Sequence, residues 1–371
     1  MKTLKLAVIP YDRPLPRPIT TAHGTYANRN GLLLIVSDDT GAFGVGDAAP
    51  LPGFSRDTLA QVTARALEMR DRFLPGVSAA VLVPDSFHQL SAGAAAWGEW
   101  VAGLPALQCA WETAIADLAA RRQRLPLARW LNTAAATSVH VNALLHGDDP
   151  AQLGQLAREL AFQGYVTFKI KAGVGRLEHD IACIGAVRNA VPGGQLRIDA
   201  NGAWDQSRAA TVLKIAADIR AEFVEQPLPI GYATIARRLA RTARVPLALD
   251  EEADSFDNAR HLIESDLCDL IVLKPMVIGG IVGCTRLATL ARLRKVRVVY
   301  SSAWESDVGV AMTMHLAAAQ GSGAPAAGLA TAGSVGADLV DQPLAITQGQ
   351  LAVRDLPGLG LNLVPGLPQL Q

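Results

Sequence analysis

The chain has 371 residues, of which 50% are hydrophobic and 18% are charged, and its formal net charge at pH 7 is zero. This composition is typical of a well-packed enzyme and excludes an intrinsically disordered chain. Since no basic run is present, long-range attraction to nucleic acid or to an anionic membrane has no source, and we expect neither as a partner. Any acidic substrate would have to be held by local contacts.

The cysteines and the apolar runs indicate a cytoplasmic protein. The four cysteines are scattered without a Cys-x-x-Cys pair, which favours buried thiols over disulfides or a zinc site. The first apolar stretch ends at Pro10 and is too short for the core of a signal peptide. The longer apolar run over 271–283 is interrupted by Lys274 and Pro275, which argues against a membrane span.

Length and pattern together predict two structural units. A chain of this size exceeds what one hydrophobic core usually organises. We place an α+β domain at residues 1–135 and a domain of alternating strands and helices at residues 136–335. Residues 336–371 contain a hairpin-like pair and a tail rich in proline and glycine, and we expect them to return to the first domain.

The first domain is predicted to combine a sheet with helices. Three strand-like runs lie within residues 2–48, and a polar loop over 20–31 separates the first two. Ser55 is expected to begin a helix as its N-cap. Helical periodicity follows Ser55 and returns over 106–123, whereas the alanine- and glycine-rich stretch 91–100 is predicted to be irregular or a short helix.

From residue 139 onward, short β-branched runs alternate with amphipathic helical stretches. Alternation of this kind predicts a parallel sheet, and eight strands predict its closure into an α/β barrel. The runs are apolar on both faces, as in a sheet that is buried on both sides. Asp205 and Ser255 are predicted to cap two of the intervening helices. The predicted strands are 139–145, 167–172, 196–201, 222–226, 246–250, 270–274, 297–302 and 327–330.

Polar residues recur at the ends of these strands, once per strand–helix unit. Asp199, Glu225 and Asp250 end three successive strands, and Lys274 ends the next one. Because barrel active sites lie where loops leave the carboxyl ends of the strands, we expect these side chains to converge. Three oxygen ligands without His or Cys suit Mg²⁺, or Mn²⁺, better than zinc. The sequence therefore predicts a magnesium site held by the three carboxylates.

Two lysines complete the predicted catalytic group. Lys171 ends the second barrel strand and Lys274 ends the sixth, so a closed barrel brings them toward its centre from opposite sides. A nearby divalent cation or a second ammonium group lowers the pKa of a lysine and makes it a useful base, and Lys169 shares a strand face with Lys171. Proton removal next to a carboxylate is therefore the predicted reaction class, with the metal neutralising the charge that forms.

These motifs together resemble the enolase superfamily and, within it, the muconate-lactonising subgroup. The resemblance covers nearly the whole chain. It implies a modified TIM barrel, (β/α)7β, joined to an α+β capping domain, and a Lys base that works with Mg²⁺. The matching segments are Lys169-Ile170-Lys171, Asp199-Ala200-Asn201, Glu225-Gln226-Pro227, Asp250-Glu251 and Lys274-Pro275.

Further stretches resemble the o-succinylbenzoate synthase family of menaquinone biosynthesis. They are 49–55, the loop 21–25 with Arg29, Ser301-Ser302 with Glu305-Ser306, and Gly328-Leu329 with Thr331. This resemblance implies a lyase that dehydrates 2-succinyl-6-hydroxy-2,4-cyclohexadiene-1-carboxylate to 2-succinylbenzoate. Lys171 would remove the α-proton, and Lys274 would face the ring as a stabilising cation. Asp47, where Glu is common, and Gly202, where many synthases carry Arg, depart from the family pattern.

The same resemblance implies which residues meet a small-molecule carboxylate substrate. Loops of the capping domain would close over the barrel mouth and exclude water. We expect Arg29 to pair with the succinyl carboxylate and His23 to be structural. The implied substrate-binding residues are Arg29, Gly53, Phe54, Asn201, Ser301 and Ser302.

Two other functions stay open at this point. A base on each face of an α-carbon is what racemisation needs, so the lysine pair also suits an N-acylamino acid racemase or a dipeptide epimerase. A non-catalytic barrel that binds small acids is a third possibility, although the complete ligand trio and both lysines speak against it. The oligomeric state is not predicted.

Overall fold

The computed structural model describes residues 4–21, 24–74, 82–173, 175–335 and 337–365. Within these ranges the strands form an antiparallel sheet near the N-terminus, a seven-stranded parallel sheet, and a two-stranded sheet that involves the C-terminal region. No helix in the described ranges has the length and apolar character needed to cross a bilayer. His23, which we predicted to be structural, lies outside the described residues.

The N-terminal sheet has three strands in the order β1-β2-β3, which are Leu4–Thr21 (β1), Gly24–Asp38 (β2) and Phe43–Ala48 (β3). The expected polar loop over 20–31 is wrong, because residues 24–30 belong to β2 and pair back onto β1. The register of this pairing shifts between Pro14 and Ile19. Most of residues 24–30 are exposed, because an antiparallel pair of strands can leave a face in water. Polar side chains are therefore compatible with a strand here.

Helices follow this sheet, and two expectations about them need correction. Ser55 does not cap a helix; its hydroxyl accepts a hydrogen bond from the main-chain N–H of Leu51 within a turn, and Thr58 caps α1 instead. The stretch 91–100 is helical, which was one of its two predicted alternatives, but it lies within a longer helix than expected, because alanine favours the helix and Ser86 caps it. The helices are Leu59–Glu68 (α1), followed by a π-helical segment Met69–Phe73, then Phe87–Val101 (α2), Pro105–Arg122 (α3) and Leu127–Leu131 (α4).

Helix α3 packs directly on the N-terminal sheet and is buried along most of its length. Gly44 and Gly46 of β3 face it, and a Cβ atom on either glycine would overlap a main-chain carbonyl oxygen of α3, that of Ala114 or Ala110. The missing side chains therefore allow the helix backbone to approach the strand closely.

The second part of the chain alternates strands and helices, as predicted. Strands β5 to β11 pair in parallel and in chain order, and Asp205 and Ser255 cap α7 and α9 as expected. The strands are Ser138–His140 (β4), Ala143–Leu145 (β5), Thr167–Lys171 (β6), Gln195–Asp199 (β7), Phe223–Glu225 (β8), Leu247–Leu249 (β9), Leu270–Leu273 (β10) and Arg297–Tyr300 (β11). The helices are Pro150–Phe162 (α5), Leu177–Ala190 (α6), Gln206–Asp218 (α7), Ala233–Ala243 (α8), Phe256–Glu264 (α9), Pro275–Ile278 (α10), Ile281–Leu293 (α11) and Asp307–Ala319 (α12).

A short segment joins the two edges of the parallel sheet. Ala327 exchanges main-chain hydrogen bonds with two residues that precede β5, and Gly328 exchanges them with Tyr300 and Ser302 at the end of β11. The predicted eighth strand, 327–330, is therefore present as isolated bridges rather than as a regular strand. The predicted α/β barrel architecture with a separate antiparallel part is confirmed.

The described C-terminal region folds back along the molecule. Strand β12 (Gln350–Ala352) pairs antiparallel with β4, and the N–H of Leu359 donates to the carboxylate of Asp117 in α3. The predicted domain boundary near residue 135 falls between α4 and β4 and stays a prediction. The four cysteines are free and buried, as expected.

The close contact between β3 and α3 leads to a stability prediction. We expect Gly46→Ala to lower the free energy of unfolding by about 1–3 kcal/mol, because its Cβ would overlap the carbonyl of Ala110 in a packed interface. Gly185→Ala in α6 is the matched control, since a Cβ there meets nothing within 4 Å and alanine stabilises a helix by about 0.5–1 kcal/mol over glycine. Urea unfolding measures both variants. An unchanged midpoint for Gly46→Ala would contradict the close packing.

Candidate active site

The carboxyl ends of neighbouring parallel strands bring the predicted lysines and carboxylates together. Lys171 lies opposite Asp199 in the pairing of β6 with β7, and Asp199 lies opposite Glu225 in the pairing of β7 with β8. Asp250 and Lys274 directly follow β9 and β10. Because these strands end at the same level, their terminal side chains face one region at the barrel mouth.

Lys169 sits between two carboxylates. Its Nζ lies 2.8 Å from Asp199 Oδ2 and 2.5 Å from Glu225 Oε1. Burial alone would lower the pKa of Lys169, but the carboxylates around it, that of Asp199 first, outweigh burial and raise this pKa. The same contacts lower the pKa of Asp199 against the opposing effect of its burial. Both groups therefore stay charged and linked.

Lys171, the predicted base, is held by two oxygen acceptors. Its Nζ donates to Asp199 Oδ2 at 2.6 Å and to Asn201 Oδ1 at 2.8 Å. The side chain of Lys171 is 27% exposed, against 13% for Lys169. Lys171 is therefore the lysine of β6 that a substrate in the barrel mouth can reach more easily.

Lys274 forms an ion pair with Asp250 and is covered by an aromatic ring. Its Nζ donates to both oxygens of Asp250, at 2.6 and 2.5 Å, and lies 4.4 Å from the centre of the Phe54 ring. Burial alone would lower the pKa of Lys274, but Asp250 and Glu251 outweigh it and raise this pKa. Attraction between the ammonium group and the ring face adds to its hold on the proton.

The cluster contains more carboxyl groups than lysines. Its lysines are Lys169, Lys171 and Lys274, and its carboxylates are Asp199, Glu225, Asp250 and Glu251. Burial, together with repulsion from Asp199 and Asp250, raises the pKa of Glu225 to about 8. One oxygen of Glu251, Oε2, is buried without a hydrogen-bond partner. The repulsion between neighbouring carboxyl groups and the unpaired oxygen both favour a further cation here.

The donor chemistry of the predicted metal ligands fits a magnesium ion. Asp199, Glu225 and Asp250 offer only carboxylate oxygens, which Mg²⁺ prefers. Among the residues that the structure describes, no three His, Cys, Asp or Glu side chains are grouped so as to coordinate an ion as they stand. Instead, the ammonium groups of Lys169 and Lys274 form ion pairs with these carboxylates.

Arg29, a predicted substrate-binding residue, is buried between two loops. It is only 2% exposed, and its guanidinium donates to main-chain carbonyl oxygens on both sides, those of Pro50 and Trp304 among them. A substrate carboxylate could reach this guanidinium only after those hydrogen bonds break. The expected contact between Arg29 and a succinyl group stays a prediction.

Of the other predicted substrate-binding residues, Phe54 and Asn201 contact the charged cluster. Phe54 covers Lys274, and Gly53 takes a left-handed conformation, with φ of 75°, in the exposed turn before it. Asn201 contacts Lys171 directly. Ser301 and Ser302 lie at the end of β11, where their hydroxyls contact the segment that closes the barrel, as in the 2.7 Å bond between Ser302 Oγ and Thr331 Oγ1.

Sequence reasoning left Glu251 out of the site. Glu251 Oε1 accepts a 2.7 Å hydrogen bond from Asn201 Nδ2, and Asn201 Oδ1 accepts one from Lys171 Nζ. Glu251 is therefore linked to the predicted base through one amide side chain. The adjacent acidic pair Asp250-Glu251 was the available signal, but the spacing of one polar residue per strand–helix unit selects only Asp250.

Comparison with known protein families covers both parts of the chain. A family model described as enolase C-terminal domain-like matches residues 152–366, which is more than half of the chain. A second model, described as the MenC N-terminal domain, matches residues 3–97. The first match spans β6 to β11 and therefore the whole charged cluster.

Individual relatives divide between two activities. The o-succinylbenzoate synthase of Thermosynechococcus vestitus is 31% identical over 82% of this chain and 86% of that protein. The hydrophobic dipeptide epimerase of Enterococcus faecalis is 27% identical over 82% of this chain and 84% of that protein.

A solved structure extends the comparison to the fold. The dipeptide epimerase from Enterococcus faecalis, complexed with Mg and the dipeptide L-Leu-L-Tyr, superposes with a TM-score of 0.85 and 25% identity, covering 97% of this chain and 99% of that one. The family match, the relatives and the barrel with its strand-end cluster agree with one another. The chain belongs to the enolase superfamily.

Proposed function

We propose that the protein is an o-succinylbenzoate synthase, a lyase that dehydrates 2-succinyl-6-hydroxy-2,4-cyclohexadiene-1-carboxylate to 2-succinylbenzoate. The observation that carries the proposal is the pair Lys171 and Lys274, which approach one carboxylate cluster from strands β6 and β10. The match of residues 3–97 to the MenC N-terminal domain favours this substrate, because that segment holds the turn with Phe54 over the cluster.

Lys171 acts as the base in the proposed reaction. In its neutral form it removes the proton from the ring carbon that bears the carboxylate. The hydroxyl on the adjacent carbon then leaves from the same face and takes the proton back from Lys171, so that water forms and the lysine regains its neutral form. Asn201, whose amide oxygen lies 2.8 Å from Lys171 Nζ, orients the amine during both transfers.

Lys274 acts as a fixed cation in the same reaction. Asp250 holds its ammonium group from one side and Phe54 covers it from another, so the group keeps its proton and its place. From there it stabilises the negative charge that forms on the substrate when the α-proton is removed and that disappears when water departs. Aromatisation of the ring supplies the driving force, and the side chains need only position the substrate and stabilise charge.

Magnesium is the proposed cofactor, with manganese as a possible substitute. Held by Asp199, Glu225 and Asp250, the ion would neutralise the dianion of the deprotonated substrate and relieve the carboxylates of the lysines that they now bind. The repulsion of Glu225 by Asp199 and Asp250 and the unpaired oxygen of Glu251 support this assignment.

Dipeptide epimerisation is the second candidate. The 27% identity to the hydrophobic dipeptide epimerase of Enterococcus faecalis supports it, as does the approach of two lysines to one cluster. In that reaction Lys171 would take the α-proton from one face and Lys274 would return a proton to the other. The two candidates therefore share Lys171 and differ in whether Lys274 transfers a proton.

A direct assay separates these candidates. Purified protein with Mg²⁺ is expected to convert the cyclohexadiene precursor to 2-succinylbenzoate, and to leave dipeptides and N-acyl amino acids in heavy water without deuterium at their α-carbons. Deuterium in a dipeptide without formation of 2-succinylbenzoate would show that the protein is an epimerase and not a synthase. Inactivity on every compound would contradict both.

Variants of the two lysines test their roles. Lys171→Ala is expected to lower kcat by about 10²–10⁴-fold, because the general base is lost. Lys274→Arg keeps a fixed cation and is expected to retain a measurable part of the dehydration, whereas an epimerase with this change would lose its activity because Arg does not give up a proton. Lys214→Ala, on the exposed face of α7, is the control. Unchanged turnover in Lys171→Ala would contradict the assigned base.

Metal binding is tested without reference to turnover. Titration with Mn²⁺, followed by electron paramagnetic resonance, is expected to show one ion bound per chain. Asp199→Asn or Asp250→Asn should weaken this binding by more than about tenfold, since each removes a carboxylate ligand. Asp257→Asn in α9, an exposed acidic residue, serves as the control. Equal affinity in all three variants would exclude the proposed ligands.

A further inference from the structure

We propose that Arg29 is a positioning residue that couples two loops at the active site, residues 49–55 after β3 and residues 301–306 after β11. The first loop belongs to the N-terminal sheet and the second to the parallel sheet. The proposal rests on the proposed function only where activity is its readout, because the coupling itself is a property of the fold.

Arg29 holds the beginning of the first loop. Its Nη1 donates to the carbonyl of Pro50 at 3.0 Å, and its Nη2 donates to the carbonyl of Ala49. A tight turn follows at once, in which the N–H groups of Phe54 and Ser55 both donate to the carbonyl of Leu51. Fixing Ala49 and Pro50 therefore fixes where this turn presents the Phe54 ring.

The same guanidinium holds the second loop. Its Nε donates to the carbonyl of Trp304 at 3.0 Å, and its Nη2 contacts the carbonyl of Ala303 at 3.4 Å. Trp304 has a φ of 64°, a left-handed conformation that is unfavourable for a bulky residue and persists only where surrounding contacts enforce it. The hydrogen bond from Arg29 is one such contact.

Each loop carries predicted substrate-binding residues. Phe54 in the first loop lies 4.4 Å from Lys274 Nζ. Ser301 and Ser302 begin the second loop at the end of β11. A displacement of either loop would change the cover over Lys274 or the wall of the barrel mouth, although Arg29 itself touches neither the cluster nor these side chains.

Two buried carboxylates complete the environment of Arg29. Asp47 Oδ2 accepts hydrogen bonds from the N–H and the hydroxyl of Ser306, at 2.8 and 2.7 Å, and Asp47 Oδ1 accepts from Tyr11. Glu305 accepts from the N–H of Ala303. Burial raises the pKa of both carboxyl groups, that of Glu305 to about 7, and the positive charge of Arg29 opposes this rise.

Lysine could not replace arginine in this role. The five N–H donors of a guanidinium lie in one plane and point in different directions, so that one side chain can bridge two loops, whereas an ammonium group is a single compact donor. Lys at position 29 would preserve the charge and lose the bridge. The pair of substitutions Arg29→Lys and Arg29→Met therefore separates charge from bridging.

The test combines hydrogen exchange with kinetics on the full chain. In Arg29→Met and Arg29→Lys, amide exchange in 49–55 and in 301–306 is expected to accelerate by more than tenfold in both loops together. Amides of β7 and β8 should keep their wild-type rates, and Mn²⁺ affinity should stay within a factor of two. The value of kcat/KM is expected to fall by about 100-fold, the usual effect of an ångström-scale misplacement near a reacting group.

Controls make the outcome decisive. Arg56→Met removes an arginine that directly follows the first loop and forms an exposed ion pair with Asp254. This variant is expected to change the exchange rates and kcat/KM little. In the double variant Arg29→Met/Phe54→Leu, kcat/KM should fall by less than the product of the two single effects, because both changes act through the same ring. Acceleration in only one loop, or none in folded Arg29→Lys, would overturn the coupling. If wild-type protein proves inactive, the proposed function fails while the exchange data still decide this proposal.

Discussion

The burial of carboxylates at the strand ends is the constraint on which the rest of the site depends. Asp199 and Glu225 are almost completely inaccessible, and charges removed from water must be compensated by nearby opposite charges. Lys169 compensates both at once, which requires β6, β7 and β8 to end in register. The parallel pairing of the barrel therefore positions the site, and the site in turn explains why charged residues occur at the ends of otherwise apolar strands.

The strand-end cluster was predictable because its chemistry follows the period of the fold. Asp199, Glu225 and Asp250 recur once per strand–helix unit, so the spacing alone indicated that they converge. The short closing segment was harder to predict. Ala327 and Gly328 form only isolated bridges, and the apolar run around them does not reveal how few of its residues pair.

The contacts of Arg29 could not be read from the sequence. Its partner Trp304 lies 275 residues away, and the bond goes to a main-chain carbonyl, which every residue possesses and no pattern marks. The substrate contact predicted for Arg29 comes from the family resemblance alone. The polar stretch around Arg29 was assigned to a loop because polar residues on an exposed hairpin resemble loop residues, and only the register with β1 distinguishes them.

Dehydration and epimerisation begin with the same step, so the residues that perform it cannot by themselves determine the product. Lys171 and the carboxylates near it serve both reactions equally well. The difference lies with Lys274, which must keep its proton in one reaction and exchange it in the other. Asp250 and the ring of Phe54 both favour the charged form of Lys274. Since Phe54 comes from the N-terminal part of the chain, that part would influence the outcome of the proposed reaction, whereas its first step would belong entirely to the barrel.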